Sequence, residues 1–408
     1  MNNYIINNIT QLVTCSGFSA KHGRSMSDLG IIENGMVVIS DGLITYVGHA
    51  ADSFPVDNPD AYEIIDATGK AVLPGFIDSH THLVFGGYRE EEFSWRMKGD
   101  SYMSIMNRGG GIYNTVRATR EASFDTLKSA AKVRLDKMSA MGVTTVEAKS
   151  GYGLDKATEL KQLRVLKALN AEHPVDIVTT YLGAHAIPTE YQGDEKAYID
   201  FMLRDVMPVI REEDLAECCD IFCEKGVFST EESHRFLLAA KEMGFQLKIH
   251  ADEIVHTGGA TVAAAVGALS ADHLLQASEN GIRALANSET VATLLPCTAF
   301  SLREDYAKGR QMIDAGCAVA LATDYNPGSC FTASIPLTIA LACIYMKLSP
   351  EEALTALTIN AAAAVGRAGS IGSIDVGKKG DIIMLEYLTY KFLPYHVGMN
   401  CVERTIKS

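Results

Sequence analysis

The chain of 408 residues is 47% hydrophobic and 21% charged, so it can form a large core and is not disordered by composition. Its 36 Lys and Arg against 50 Asp and Glu give a formal net charge of −14, which argues against nucleic acid or an anionic membrane as the main partner. The most apolar stretch, Ile335–Met346, is too short to cross a bilayer, and the N-terminus lacks the pattern of a secretory signal. Membrane, secreted and fibrous classes are therefore not expected.

Nine cysteines are scattered through the chain without even pairing or a C-x-x-C spacing. Neighbours on a strand point to opposite faces, so Cys218 and Cys219 are poorly placed to share a metal. We interpret the cysteines as buried free thiols in a reducing compartment, with the cytoplasm as the default location.

Both ends of the chain predict short strands joined by tight turns. At the N-terminal end, Met36–Ser40 and Leu43–Val47 flank an Asp-Gly turn, which is typical of a hairpin. Near the C-terminus, Asp381–Tyr387 and Val402–Ile406 have the same character. We therefore expect a small β-sandwich domain built from both termini, residues 1–70 plus 370–408.

The middle of the chain, residues 71–369, alternates apolar strands with helical patterns such as Phe124–Met141, Lys156–Ala171 and Glu231–Met243. Ser349 before Pro350-Glu351-Glu352 predicts a further helix start. This rhythm predicts a (β/α)₈ TIM-type barrel, although a doubly wound open sheet would show the same alternation. The eight candidate strands are Ala71–Asp78, Val143–Ala148, Asp176–Leu182, Cys219–Cys223, Gln246–His250, Ala268–His273, Val291–Leu295 and Ala318–Thr323.

Two histidines, His80 and His82, stand two apart at the end of the first candidate strand. The period of two along a strand places both imidazoles on one face, where they could bind a single ion. A polar strand end is the alternative interpretation, since His-x-His pairs also occur by chance.

Further polar residues follow the later strands: His250 and Glu253 after the fifth, His273 after the sixth and Asp324 after the eighth. Active sites of barrels lie at the carboxyl ends of the strands, so these residues would meet the His-x-His pair at one mouth. Three histidines and Asp324 form a set of nitrogen and oxygen ligands that suits Zn²⁺ or Fe²⁺, whereas Mg²⁺ and Ca²⁺ would require more oxygens.

Three of these motifs resemble those of the amidohydrolase superfamily of metal-dependent hydrolases: Pro-Gly-Phe-Ile-Asp-x-His-x-His at 74–82, His250-x-x-Glu253 and Thr323-Asp324. The segments Thr358–Ala362 and Gly372–Asp381 are also typical of that superfamily. The resemblance covers the whole chain.

Within the superfamily, four segments resemble the imidazolonepropionase family: His82–Arg89, Lys149–Leu154, Leu182–His185 and Thr323–Ser329. That family hydrolyses 4-imidazolone-5-propanoate to N-formimidoyl-L-glutamate in histidine degradation. The resemblance implies a small-molecule substrate, one divalent metal per subunit (Zn or Fe) and a homodimer.

Such a substrate is a small ring that bears a propanoate. Arg89 is the candidate carboxylate clamp because its planar guanidinium pairs with a carboxylate through two hydrogen bonds, although a solvated surface arginine is the alternative. Tyr152 and His185 follow the second and third strands, where they could bind the carboxylate or the ring, unless they are satisfied core residues.

Asn326, Gly328 and Ser329 offer amide, backbone and hydroxyl contacts to the substrate just after Asp324, unless the Pro-Gly turn merely ends the strand. Glu253 is also expected to contact the substrate.

The expected catalytic residues are Asp324, His273 and Glu253. Asp324 would act as metal ligand and as general base on a water acidified by the metal, and His273 would orient that water or shuttle the proton. Glu253 would exchange a proton with the ring nitrogen as the C–N bond opens.

Two residues bear on the number of metal ions. Glu224 could in principle bridge a second ion, but the closest resemblance implies one, and Lys149 is expected to be an ion-pair or supporting residue. The run Arg108–Gly111 lacks the spacing of a phosphate-binding loop and is interpreted as a flexible loop over the site mouth.

Two alternatives to this function stay open. A cytosine- or guanine-type deaminase would share the metal and catalytic residues, but a nucleobase has no propanoate for Arg89 to bind. A non-catalytic barrel is the second alternative, although such chains usually lose their metal ligands.

Overall fold

A computed structural model describes residues 3–52, 58–100, 108 and 110–408. The strands, in chain order, are β1 (Tyr4–Val13), β2 (Ile31–Ser40), β3 (Leu43–His49), β4 (Glu63–Asp66), β5 (Ala71–Pro74), β6 (Phe76–Thr81), β7 (Val143–Lys149), β8 (Asp176–Ala184), β9 (Cys218–Cys223), β10 (Gln246–Ala251), β11 (Ser270–His273), β12 (Val291–Leu294), β13 (Val319–Leu321), β14 (Ile382–Leu385) and β15 (Val402–Ile406).

The helices are α1 (Glu90–Met97), α2 (Ile112–Glu121), α3 (Phe124–Ser139), α4 (Lys156–Glu172), α5 (Glu195–Phe201), α6 (Met207–Glu212), α7 (Thr230–Glu242), α8 (Gly259–Val266), α9 (Glu279–Ala286), α10 (Pro296–Leu302), α11 (Gly309–Asp314), α12 (Ile335–Ile344), α13 (Pro350–Leu357), α14 (Ile359–Ala364) and α15 (Phe392–Tyr395). Within the described residues, no helix combines the length and apolar character needed to cross a membrane.

Strands β6 to β13 form an eight-stranded sheet in which every strand pairs in parallel with the next along the chain. The sheet closes just beyond β13, where Thr81 forms a parallel bridge with Tyr325. The N–H of Asp324 donates to His80 O at 3.0 Å and the N–H of His82 donates to Tyr325 O at 2.9 Å. The sequential order and this closure confirm the predicted barrel and exclude the doubly wound alternative.

The helices begin where the sequence provides capping side chains. Ser123, Asp155 and Ser229 each accept a hydrogen bond from a backbone N–H in the first turn of α3, α4 and α7. Ser349 and Glu352 form a reciprocal capping box at the start of α13, which confirms the helix predicted there.

The two ends of the chain meet in a second, seven-stranded sheet of order β15-β14-β5-β1-β2-β3, with β4 also paired to β1. Strand β1 pairs in parallel with β4 over its first residues and with β5 over its last. In the described residues, the sandwich expected of this small domain is therefore one branched sheet, with β1 shared between its arms.

The first candidate strand, Ala71–Asp78, is divided between the two sheets. Residues Ala71–Pro74 pair with β1 and β14, and the barrel strand begins at Phe76. Gly75 lies between the two pairings, where the chain passes from the small sheet to the barrel. A side chain does not fit there, because an added Cβ would overlap the side chain of Thr144. The domain limits at 70/71 and 369/370 stay a prediction. The strand pairing favours Gly75, rather than 70/71, as the limit between the N-terminal part of the small domain and the barrel.

The Lys378 side chain joins the small domain to the end of the barrel and is fully buried. Its ammonium donates to Gly17 O (2.6 Å), Ala368 O (2.6 Å), Ile371 O (3.3 Å) and Ser373 Oγ (2.6 Å). This one cation thus binds four acceptors from two segments of the chain, Gly17 and residues 368–373.

We predict that Lys378→Met lowers the free energy of unfolding by about 3 kcal/mol, because it leaves the buried carbonyls of Ala368 and Ile371 without their donor. Urea unfolding followed by circular dichroism measures the change. The control is Lys379→Met, which removes a half-exposed ion pair with Asp176 and should cost under about 1 kcal/mol. Equal losses in the two variants would show that the buried contacts have no special weight.

Candidate active site

Three histidine side chains meet at the carboxyl ends of the barrel strands. His80 lies on β6, His82 follows that strand directly, and His250 lies on β10. All three are buried, and their candidate ligand atoms lie within 4.8 Å of one another. The rings of His80 and His250 are 4.6 Å apart between centroids. The histidines predicted to be ligands are thus brought together.

One nitrogen of each imidazole is left for a ligand. Nε2 of His80 and Nε2 of His250 are buried and, among the described residues, have no hydrogen-bond partner. Nδ1 of His82 is likewise buried and unpartnered, and Nε2 of His82 faces Asp324, with Oδ1 at 3.5 Å. Burial holds the pKa of His80 and of His82 well below the usual range, so both rings are neutral. Unpartnered buried nitrogens are costly unless they bind something, and neutral imidazole is the form that binds a metal.

Two buried carboxylates orient two of these rings. The Asp272 carboxylate accepts from Nδ1 of His80 at 2.6 Å, and Asp220 accepts from Nδ1 of His250 at 3.1 Å. A carboxylate on Nδ1 fixes the tautomer and turns the lone pair of Nε2 toward the ion. Burial alone would lower the pKa of His250, but Asp220 outweighs burial and raises it.

The predicted fourth ligand, Asp324, lies beside the histidines. Its Oδ1 is 3.5 Å from Nε2 of both His80 and His82, and its Oδ2 accepts from the Thr298 hydroxyl at 2.7 Å. Burial raises the pKa of Asp324 to about 6. The carboxylate therefore presents one oxygen to the histidine cluster while the other is held by Thr298.

Lys149 lies beneath the histidine cluster in a buried ion-pair network. Its ammonium is 2.8 Å from both Glu147 and Asp220 and 3.9 Å from Asp272. Burial opposes its charge, but Asp220 and Glu147 outweigh burial, so the pKa of Lys149 is raised. This agrees with the supporting role expected for Lys149.

The sequence interpretation missed the roles of Asp220 and Asp272. A carboxylate inside the apolar strand Cys218–Cys223 is a signal that could have identified Asp220, because a buried acid needs a partner. Asp272 directly precedes His273, but its partner His80 lies 192 residues away, so no local pattern connects them.

Glu253 and His273 face each other at the site, with Glu253 Oε1 3.5 Å from Nδ1 of His273. Burial, with a smaller contribution from Asp324, raises the pKa of Glu253 to about 8. Burial also holds the pKa of His273 well below its usual range. Glu224 accepts from the N–H groups of Ile254 (2.9 Å) and Val255 (3.3 Å). It therefore fixes the loop that carries Glu253, and nothing in its contacts supports a bridge to a second ion.

Arg89 lies between Glu92 and Gly328. Its Nε donates to Glu92 at 2.8 Å, while Nη1 and Nη2 have no hydrogen-bond partner in the described part of the chain. An added Cβ on Gly328 would overlap Nη1, so a side chain there would displace the guanidinium. The outer edge of the guanidinium is thus available to a carboxylate.

Tyr152 and His185 line the same region. The His185 ring stacks on His82 at 4.8 Å and lies 5.3 Å from the Tyr152 ring. Burial lowers the pKa of His185 to about 3, and its Nδ1 donates to Gly151 O at 3.0 Å. Burial raises the pKa of Tyr152, Asp324 adds to the shift and Arg89 opposes it, so Tyr152 is within electrostatic reach of both charges.

The loop after β13 uses its polar groups internally. Asn326 Oδ1 accepts from the N–H of Gly328 (2.8 Å) and of Ser329 (2.7 Å), and its Nδ2 donates to Ser329 Oγ (2.8 Å). Gly328 O accepts from Arg96 at 2.8 Å. Polar groups of Asn326, Gly328 and Ser329 therefore have partners within this loop and in Arg96, and their substrate contacts stay a prediction.

The glycine run after Arg108 is only partly described, since Gly109 lies outside the described residues. Gly110 and Gly111 are buried, and the N–H of Gly111 donates to Glu92 at 3.1 Å. This part of the run is packed beside the Arg89 region.

A barrel with a His-x-His strand end and a third histidine across the mouth defines a metal-dependent hydrolase of the amidohydrolase type. Family models described as "Amidohydrolase family" match residues 222–408 and 63–111.

The curated relatives give a narrower assignment. The chain is 62% identical to an imidazolonepropionase of Parabacteroides distasonis over 99% of this chain and 97% of the relative. It is 64% identical to that of Bacteroides thetaiotaomicron and 60% identical to that of Clostridium tetani, again over 99% of this chain and 97% of each relative. The chain belongs to the imidazolonepropionase family.

Solved structures with low sequence identity share the fold. A guanine deaminase from C. acetobutylicum with bound guanine has a TM-score of 0.73 at 15% identity, covering 100% of this chain and 99% of that one. An adenosine deaminase from Xanthomonas campestris with bound zinc has a TM-score of 0.69 at 17% identity, covering 99% and 91%. At such identities the likeness shows the fold alone.

We predict that Asp272→Asn weakens binding of Zn²⁺ about 10- to 100-fold, because the amide no longer holds Nδ1 of His80 as a carboxylate does. Competition with a fluorescent chelator measures the dissociation constant. Asp305→Asn, at an exposed position, is the matched control. An unchanged constant in Asp272→Asn would contradict the orienting role.

Proposed function

We propose that this protein hydrolyses 4-imidazolone-5-propanoate to N-formimidoyl-L-glutamate, as its family does. The observation that carries the proposal is the guanidinium edge of Arg89, which has no partner among the described residues and lies within electrostatic reach of Tyr152, whose ring is 5.6 Å from that of His82. A cyclic amide that bears a propanoate needs both parts: a centre that opens the ring and a cation that binds the carboxylate. The deaminase alternative has only the shared fold in its favour, since a nucleobase gives Arg89 no partner.

The donor set fits one divalent ion, Zn²⁺ or Fe²⁺, held by His80, His82, His250 and Asp324. The unpartnered buried nitrogens support this assignment. When bound, the ion supplies a Lewis acid that polarises a carbonyl and lowers the pKa of water beside it.

The chain's own residues would then move the protons. Asp324 would take a proton from the attacking water on the oxygen that faces His80 and His82, because Thr298 holds the other oxygen. The water oxygen bonds to the ring carbonyl carbon, the C–N bond breaks, and the leaving nitrogen takes a proton from Glu253. His273, 3.5 Å from Glu253, would orient that carboxyl or pass a proton to it.

Substrate would be held from the other end. Arg89 would bind the propanoate with Nη1 and Nη2, and Tyr152 and His185 would add hydrogen bonds beside it. Asn326, Gly328 and Ser329 would contribute by fixing the loop against which Arg89 packs, since their polar groups are already paired within it.

Three further assignments belong to this proposal. The cytoplasm suits a chain whose nine cysteines are all free thiols, eight of them buried. The net charge of −14 gives nucleic acid no basic surface. We also propose a homodimer, as the family resemblance implies, which light scattering on the purified protein tests directly.

We predict that the metal-replete protein consumes 4-imidazolone-5-propanoate, with loss of the ring's ultraviolet absorbance and formation of formiminoglutamate. Arg89→Ala should raise KM about 10- to 100-fold and change kcat much less, since it removes charge-assisted hydrogen bonds to a part of the substrate that does not react. Absence of turnover by a metal-loaded wild-type protein would overturn the proposed reaction. A nucleobase panel would then test the deaminase alternative.

We predict that Glu253→Gln lowers kcat about 10²- to 10⁴-fold while metal content stays unchanged, because the amide cannot transfer a proton. Steady-state kinetics with elemental analysis of the same samples provide the check. Near-normal turnover would remove Glu253 from the proton-transfer role.

A further inference from the structure

Glu92 is a buried carboxylate that the proposed reaction does not use. It lies in the first turn of α1, where its neighbours Glu90 and Glu91 are exposed, yet Glu92 is only 4% exposed. A buried carboxylate at such a position needs partners, so its contacts indicate what it does.

Donors from Arg89 and from the start of α2 converge on the two oxygens of Glu92. Oε2 accepts from Arg89 Nε at 2.8 Å. Oε1 accepts from the N–H of Gly111 at 3.1 Å and from Asn114 Nδ2 at 3.4 Å. Glu92 thereby fixes Arg89 against the start of α2 and uses both of its own oxygens in doing so.

The contact with Glu92 leaves one edge of the Arg89 guanidinium free. Glu92 occupies Nε, Gly328 packs against Nη1 without a side chain, and Nη1 and Nη2 have no partner among the described residues. A guanidinium held at Nε keeps the parallel pair of N–H groups that bind a carboxylate through two bonds.

We propose that Glu92 is a positioning residue that holds Arg89 in the orientation that binds the substrate's carboxylate. This inference rests on the proposed function, in which Arg89 binds the propanoate. The orientation of Arg89 would then be set by a residue that lies outside the barrel strands and outside the reacting centre.

Two effects of Glu92 on an anionic substrate oppose each other. The negative charge of Glu92 repels the negative charge of the propanoate, which weakens binding. The hydrogen bond that Glu92 accepts from Arg89 Nε orients the N–H groups that bind the propanoate, which strengthens binding. If orientation dominates, removal of the charge weakens substrate binding; if repulsion dominates, removal strengthens it. The sign of the change in KM therefore distinguishes the two.

The test compares Glu92→Gln with Glu91→Gln on two substrates. Arg89 Nε and the N–H of Gly111 donate to different oxygens of Glu92, and a glutamine replaces one of these oxygens with an NH₂ donor, so one of the two hydrogen bonds is lost. With 4-imidazolone-5-propanoate we expect Glu92→Gln to raise KM about tenfold or more with kcat within about threefold. With an imidazolone that carries a methyl group in place of the propanoate, Glu92→Gln should match wild type within about threefold, since no carboxylate is bound. Glu91→Gln should behave as wild type on both.

A double variant makes the test independent of folding losses. In an Arg89→Ala background, Glu92→Gln should change KM by under about threefold, because the group that it orients is gone. If Glu92→Gln does not fold, Glu92→Asp replaces it: the shorter acid keeps the charge, loses reach, and should also raise KM only for the carboxylate substrate.

Several results would overturn the inference alone: an unchanged or lower KM for 4-imidazolone-5-propanoate in Glu92→Gln, an equal loss on both substrates, or an undiminished effect in the Arg89→Ala background. An unchanged KM in the aspartate variant, where that variant is the one tested, would do the same. No turnover by the wild-type protein would instead overturn the proposed function, and this inference with it.

Discussion

The ammonium of Lys149, buried under the mouth of the barrel, is the interaction on which the candidate site depends. It is 2.8 Å from Asp220 and 3.9 Å from Asp272, and these two carboxylates accept from Nδ1 of His250 and His80. Charges so deeply buried are stable only when they are paired and hydrogen-bonded, and here the pairing also fixes which nitrogen of each ring faces the ion. Lys149 thus supports both candidate ligands, which lie on opposite sides of the mouth, and a second buried cation, Lys248, lies 3.7 Å from Asp272.

Closure of the barrel supplies the rest of the reacting centre. The bond from the N–H of Asp324 to His80 O joins the end of the last strand to the first, and it carries the Asp324 carboxylate to the histidines. Asp324 (φ 53°) and His273 (φ 77°) both adopt left-handed backbone conformations, which side-chain-bearing residues rarely occupy. Such strain persists where surrounding contacts fix it, and for Asp324 these contacts are the bond to His80 and the hydroxyl of Thr298.

The proposed substrate-binding side is built differently, from loops outside the strands. Arg89 donates to Glu92 and packs on Gly328. The side chain of Asn326 accepts from the N–H of Gly328 and so stabilises the loop that carries it. The orientation of the clamp thus depends on hydrogen bonds between loops, and that of the reacting centre on buried ion pairs between strands. The two parts can therefore change separately.

Much of this protein follows from its sequence alone. The period of two along β6 places His80 and His82 on one face, and Ser349 with Glu352 starts a helix, because both patterns depend on residues a few positions apart. Alternation of strands and helices likewise predicts the barrel and the convergence of the strand ends, and with them the candidate ligands.

Tertiary structure alone decided the partners of those residues. Asp272 lies 192 residues from His80, Glu224 lies 30 residues from the N–H of Ile254, and Glu92 lies 19 residues from that of Gly111. The break at Gly75 likewise depends on which sheet each half of Ala71–Asp78 joins. Local periodicity determines which side a residue faces, but the identity of its partner is set only when the closed barrel and the loops over it bring distant segments into contact.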